Sequence, residues 1–192
     1  MSYTADSRRR NKTSRGNEAG PMFKRIVLSA LVFVLVAAGP ALAGPLQSGI
    51  AAYNAQDYPA AARLLLPLAE QGNAKAQAYV GLMYANGRGL VQDYIAAARW
   101  YRRASEQGVG VAQYMLGLMY DKGQGVPQDF VIAYMWLNLA VARASPRERD
   151  DWVRIRNAVA SKLTLIERTA GQRLAAEWQM ARDTGRPHGP LE

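Results

Sequence analysis

Residues 73–108 read NAKAQAYVGLMYANGRGLVQDYIAAARWYRRASEQG, and residues 109–144 read VGVAQYMLGLMYDKGQGVPQDFVIAYMWLNLAVARA. Set at a period of 36, the two stretches agree at 13 positions, among them Gly81 with Gly117, Tyr84 with Tyr120, Gly89 with Gly125, Asp93 with Asp129 and Trp100 with Trp136. A period of this length marks an array of one supersecondary unit, because each unit leaves an apolar face that only its neighbour can cover. A weaker copy comes first. It ends in DYPAAARLLLPLAEQG, where Asp57, Ala61 and Gly72 are in phase with Asp93, Ala97 and Gly108.

Each unit reads as two helices. Gln77, Val80, Gly81 and Tyr84 recur at helical spacing and share one face. Gly81 has no side chain there, which lets a partner helix come close. Gly87-Arg88-Gly89 then breaks the helix, since glycine takes the positive φ that ends one. Asp93 can accept from the free amides that open the second helix, and Ala97, Trp100 and Ala104 form that helix's inward stripe. By the same spacing Tyr84, Trp100, Tyr120 and Trp136 are core residues rather than a ligand cage.

The full pattern, A-x-A-Q-x-x-[LV]-G-x-x-Y-x-x-G-x-G-[LV]-x-Q-D-x-x-x-A-x-x-W-x-x-x-A, resembles the Sel1-like repeat, a relative of the tetratricopeptide repeat. The resemblance covers residues 45–144: a degenerate unit at 45–72 and full units at 73–108 and 109–144. It implies an all-α fold, a right-handed α/α superhelix that binds proteins. Two departures stand out. The chain has no cysteine, so it is not of the branch braced by disulfides. In the first unit, Asn54-Ala55-Gln56 is shorter than the glycine loop and closer to a tetratricopeptide turn.

A last repeat must hide its outer apolar side. Where the middle unit carries Arg99 and Arg103, the last carries Met135 and Leu139, so a lid is expected. Ser145-Pro146-Arg147-Glu148 reads as a capping box with proline in the first turn, opening a helix with Trp152, Ile155 and Val159 inward. Thr164-Leu165-Ile166-Glu167 reads as a second, opening a helix with Ile166, Ala170, Leu174 and Trp178 on one face. Capping helices are thus expected over 145–182 and a flexible tail over 183–192. The stretch AYMWLNLA with a terminal helix ending near AEW also resembles the ending of exported Sel1-like proteins.

The other end carries a different signal. Lys24 and Arg25 precede an uncharged apolar run, Ile26 to Ala38, which leads through Gly39-Pro40 to Ala41-Leu42-Ala43. This is the layout of a secretory signal peptide over 22–43, with cleavage expected after Ala43; the run falls short of the roughly 20 residues of a spanning helix. Met22 stands where such a peptide starts, so residues 1–21 are expected to be an upstream extension. The location expected is periplasmic or secreted, with no stable membrane span after cleavage. Export also removes much of the formal charge of +9. Seven Lys or Arg and two Asp or Glu precede Gly44, leaving 17 and 13, a net +4. A basic n-region therefore accounts for the basic arm better than nucleic-acid binding does.

No constellation for catalysis, cofactor binding or metal ligation emerges. His188, the only histidine, lies in the tail RPHGPLE. Asp57, Asp93 and Asp129 recur once per unit, as caps do, while Glu70 and Glu106 lie one period apart near helix ends. No phosphate loop or nucleophile motif is present, so an enzyme is not expected. The candidate partner-binding face is the other side of each first helix: Lys75, Tyr79, Leu82, Met83 and Asn86, then Val111, Met115, Leu118, Met119 and Lys122. Stacked repeats set such faces side by side along a concave surface, and methionines adapt to varied partners; the alternative for these residues is packing against the adjacent repeat. The function expected is an exported adaptor that holds a protein or peptide on this surface. The alternative is an accessory protein or enzyme of cell-envelope or polysaccharide processing.

Overall fold

A computed structural model describes residues 44–185. The expected extension, the signal segment and His188 lie outside them, as does the tail beyond Gly185. Among the described residues there are eight helices and no strands: α1 (Pro45–Asn54), α2 (Tyr58–Glu70), α3 (Ala74–Asn86), α4 (Tyr94–Glu106), α5 (Gly110–Lys122), α6 (Phe130–Arg143), α7 (Pro146–Ala160) and α8 (Leu165–Asp183). From α1 to α6 each helix packs on the next in the chain, and α7 and α8 both pack on α6. Three helical pairs therefore stack in sequence order, and the last carries two further helices.

Equivalent residues do the same tasks from pair to pair, the aspartate cap in all three and the rest in the last two. Asp57, Asp93 and Asp129 accept from the amides of Ala60, Ala96 and Ile132 at 3.1, 2.9 and 2.9 Å, opening α2, α4 and α6. At the other end of the loop, Gln92 Nε2 donates to the Ala85 carbonyl at 2.8 Å, and Gln128 Nε2 to that of Asp121 at 2.7 Å. Each amide thereby satisfies a carbonyl that the end of α3 or α5 leaves free. Gly89 and Gly125, at φ 73° and 70°, press against the carbonyls of Tyr58 and Tyr94, the first residues of the preceding pair's second helix. Any side chain there would strike backbone. Buried Gln77 Nε2 donates to the Ala69 carbonyl at 3.1 Å, and buried Gln113 Nε2 to that of Ser105 at 3.2 Å, tying each pair to the one before it.

Burial divides the aromatic residues expected in the core. Trp136 and Tyr120 are buried. Trp100 and Tyr84 are only partly so, which corrects their assignment as core. The side chain that fills the middle pair is Tyr101, 1% exposed, its ring lying where a Cβ on Gly81 would approach to 2.9 Å. Trp100, one residue earlier, points toward the first pair's apolar cluster and is roofed by the Arg103 guanidinium 4.7 Å from its ring centre. Trp136 holds the equivalent position in the last pair. It is sealed because Trp178 of α8 meets it edge-on at 5.6 Å.

The lid covers the side chains that needed it: Met135 is fully buried and Leu139 is 3% exposed. Both capping boxes form, with Glu148 accepting from Ser145 and Glu167 from Thr164. On α7, Trp152 stacks on Tyr114 at 4.9 Å and Val159 is buried, while Ile155 is half-buried. On α8 the inward set is Gly171, Ala175 and Trp178, flanked by half-buried Ala170 and Leu174. Ile166, expected inward, is 83% exposed. A ladder of four-residue steps turns about 40° per step against the helix, so over three steps Ile166 rotates off the face that Trp178 occupies.

Candidate functional site

Two of the ten candidate residues are core. Met83 is fully buried and Met119 is 5% exposed, so for these two the packing alternative holds and the open face does not. The reason is the position of the helices that carry them. α3 packs against both α2 and α4, and α5 against both α4 and α6, so two sides of each first helix are covered, and Met83 joins the apolar cluster built on Ala61 and Leu65 of α2. Lys75, Asn86 and Lys122 are exposed, and Leu118 is half-buried. Asn86 turns its side-chain amide back to the Leu82 carbonyl at 3.0 Å.

The other four come together. Tyr79 and Leu82 of α3 face Val111 and Met115 of α5 across a groove of about 270 Å³. Val111 is 47% exposed. Tyr53 and Asn54, at the end of α1, close one side, and Ala78 and Tyr101 also line the groove. The Tyr53 ring meets Tyr79 edge-on at 5.4 Å and Tyr58 at 5.3 Å. Arg88 donates to the Tyr53 hydroxyl at 3.3 Å and lies 5.3 Å from the centre of the Tyr58 ring. Both contacts favour the charged guanidinium and raise its pKa, the hydrogen bond to Tyr53 most.

Neither Tyr53 nor Tyr101 was among the candidate residues, for different reasons. The short turn through Gln56, which takes a φ of 64°, puts α1 out of the 36-residue register, so no repeat position pointed to Tyr53. Tyr101 was hidden by its neighbour: the recurring tryptophan drew the inward stripe through Trp100, whereas the position after it reads Tyr101 in one unit and Leu137 in the next. Burial pushes the Tyr101 hydroxyl's pKa above the ordinary tyrosine range. It therefore stays protonated at physiological pH.

Among the described residues no group of His, Cys, Asp or Glu gathers in a way that could hold a metal. No described helix is long and apolar enough to cross a membrane. The groove is an apolar cleft with tyrosine side chains in its lining and the Arg88 cation beside Tyr53.

The family model described as Sel1 repeat matches residues 55–73, 74–109 and 110–145; its first match takes in α2 and the turn before it. Among solved structures, a Sel1 repeat protein from Oxalobacter formigenes is 34% identical, with a TM-score of 0.50, over 64% of this chain and 96% of its own. A protective antigen present in uropathogenic Escherichia coli strains, which displays an SLR fold, is 24% identical with a TM-score of 0.63 over 77% of this chain. That match spans 33% of the antigen. No curated protein matches the sequence. Sel1 repeats commonly mediate protein–protein interaction, and the family is typically non-catalytic. Since the family's repeat matches α2 and both of the full helical pairs that follow it, and the likeness extends over nearly all of the Oxalobacter protein, this chain belongs to the Sel1 repeat family.

Proposed function

We propose that this protein is an exported adaptor that holds a segment of another protein in the groove between α1, α3 and α5. The observation that carries the reading is the groove itself: it opens where the first helices of successive pairs meet, and apolar side chains line it at a point where the solenoid has no neighbour to bury them. Surface apolar clefts of this kind mark sites of protein contact. The periplasmic or secreted location rests on the charged, apolar and small-residue segments between Lys24 and Ala43.

The test is crosslinked pull-down from the cell envelope with the full chain, comparing the wild type with the double variant Tyr79→Ala, Met115→Ala. A few apolar anchors carry most of the affinity at such interfaces, about 2 kcal/mol or more each. Capture should therefore collapse while helicity and melting temperature hold. Undiminished capture by the double variant would overturn the groove as the site.

A further inference from the structure

The floor of the groove holds a buried polar atom without a protein partner. Tyr101 is 1% exposed, and among the described residues no protein atom accepts from or donates to its hydroxyl. Buried hydroxyls are otherwise almost always paired. Ser105, Gln113, Trp136 and Asn138 also leave a buried atom unpaired, but Tyr101 is the one of these that lines the groove. A protonated phenol has one O–H to donate, and since the oxygen itself is covered, an entering group reaches it by displacing the side chains over it.

The surroundings restrict what enters. At about 270 Å³ the space lies below the roughly 300–1,000 Å³ of small-molecule sites, which fits one apolar side chain and the backbone beside it. Charge is one-sided. On α1, α3 and α5 the only ionisable side chains of Lys, Arg, Asp or Glu are Lys75, Asp121 and Lys122. Asp121 is paired with Lys162. Among the described residues neither Lys75 nor Lys122 has an ion-pair partner. Lys75 lies one turn before Tyr79, and Lys122 two turns after Met115, each on its neighbour's face. Arg88 adds a third cation beside Tyr53, and the Asp57 and Asp93 carboxylates are engaged as helix caps.

Building on the adaptor reading, we propose that the groove takes an acidic peptide, one of whose apolar side chains packs between Tyr79 and Met115 while the Tyr101 hydroxyl donates to a main-chain carbonyl beside it. The acidic residues flank this anchor, toward Lys75 on one side and Lys122 on the other.

The experiment titrates the full chain, carrying isotope-labelled methionine methyls, with three synthetic peptides: acetyl-Glu-Asp-Gly-Leu-Gly-Asp-Glu-amide, its charge-reversed counterpart built on Lys and Arg, and the acidic peptide with Gly in place of Leu. The acidic leucine peptide should shift the Met115 methyl, leave Met83 unmoved and lose affinity as salt rises. Tyr101→Phe should weaken it roughly three- to tenfold, the worth of one hydrogen bond, with a melting temperature equal to or above the wild type's because an unpaired buried polar group is gone. Equal binding of the basic peptide, no shift at Met115 with any peptide, or unchanged affinity in Tyr101→Phe would each overturn the proposal. Pull-down separates its failure from that of the adaptor reading. Capture lost in Tyr79→Ala, Met115→Ala but kept in Tyr101→Phe rejects this proposal and leaves the adaptor reading standing, whereas capture kept in both rejects the groove.

Discussion

Trp100 and Trp136 occupy one repeat position and differ in what lies over them, so their removal should differ in cost. Trp136→Ala takes away a sealed indole and should destabilise by about 3–5 kcal/mol, the range for a buried large aromatic. Trp100→Ala, whose ring is only partly buried under Arg103, should cost about 1–2 kcal/mol. Denaturant melts of the two variants check the difference, and equal losses would mean that the lid does not seal Trp136. Gly89→Ala and Gly125→Ala should each cost more than about 1 kcal/mol, because a positive φ and a backbone carbonyl in van der Waals reach both oppose a Cβ. Glu167 responds to acid. Thr164, through its amide and then its hydroxyl, holds the carboxylate below its ordinary pKa. The box therefore contributes stability above the ordinary carboxylate range, and that contribution fades as pH falls through the lowered pKa. Carboxyl-carbon NMR titration should show Glu167 protonating later than exposed glutamates.

Helices and turns were the most legible part of the sequence, because each depends on residues next to one another. Asp93, Asp129 and both capping boxes act within a few positions of themselves, and the 36-residue period repeats the aspartates and the loop glycines. Faces were harder to read. A first helix covered on two sides leaves little contrast between inward and outward residues, and that is why Met83 and Met119 read as open although the neighbouring pair covers them. The groove was half visible for the same reason: Tyr79, Leu82, Val111 and Met115 follow from stacking, whereas Tyr53 required knowing where a shortened turn sends α1. Gln77 was read as inward, but its hydrogen-bonding task could not be seen. Its amide spans from one pair to the Ala69 carbonyl of another and its own carbonyl accepts from Gln107 at 2.7 Å. Gln77→Leu should cost about 1–3 kcal/mol by leaving those groups unpaired, measurable by chemical denaturation against Gln113→Leu, whose carbonyl has no partner to lose.

Stacking makes the molecule a line of contacts in which each pair answers to its neighbours, and the end of the line must be closed. Truncation after Ala144 removes α7 and α8, exposes Met135, Leu139 and Trp136, and should yield a protein that self-associates; a monomeric truncated chain in light scattering would show that α6 can face water. If the segment up to Ala43 is an export signal, intact-mass measurement should find the mature chain starting at Gly44. The seats of Gly89 on Tyr58 and of Gly125 on Tyr94 carry a wider meaning. Both contacts fall on main-chain carbonyls, so what one unit requires of the unit before it is a backbone in the right place, whatever side chains that unit bears. Lineages can therefore lengthen or shorten such a chain by whole units at little risk. A duplicate of residues 73–108 spliced in after Gly108 would meet the same seat, the same amide tie and the same cap at both of its borders, and would add one more opening to the groove for selection to alter without disturbing the rest.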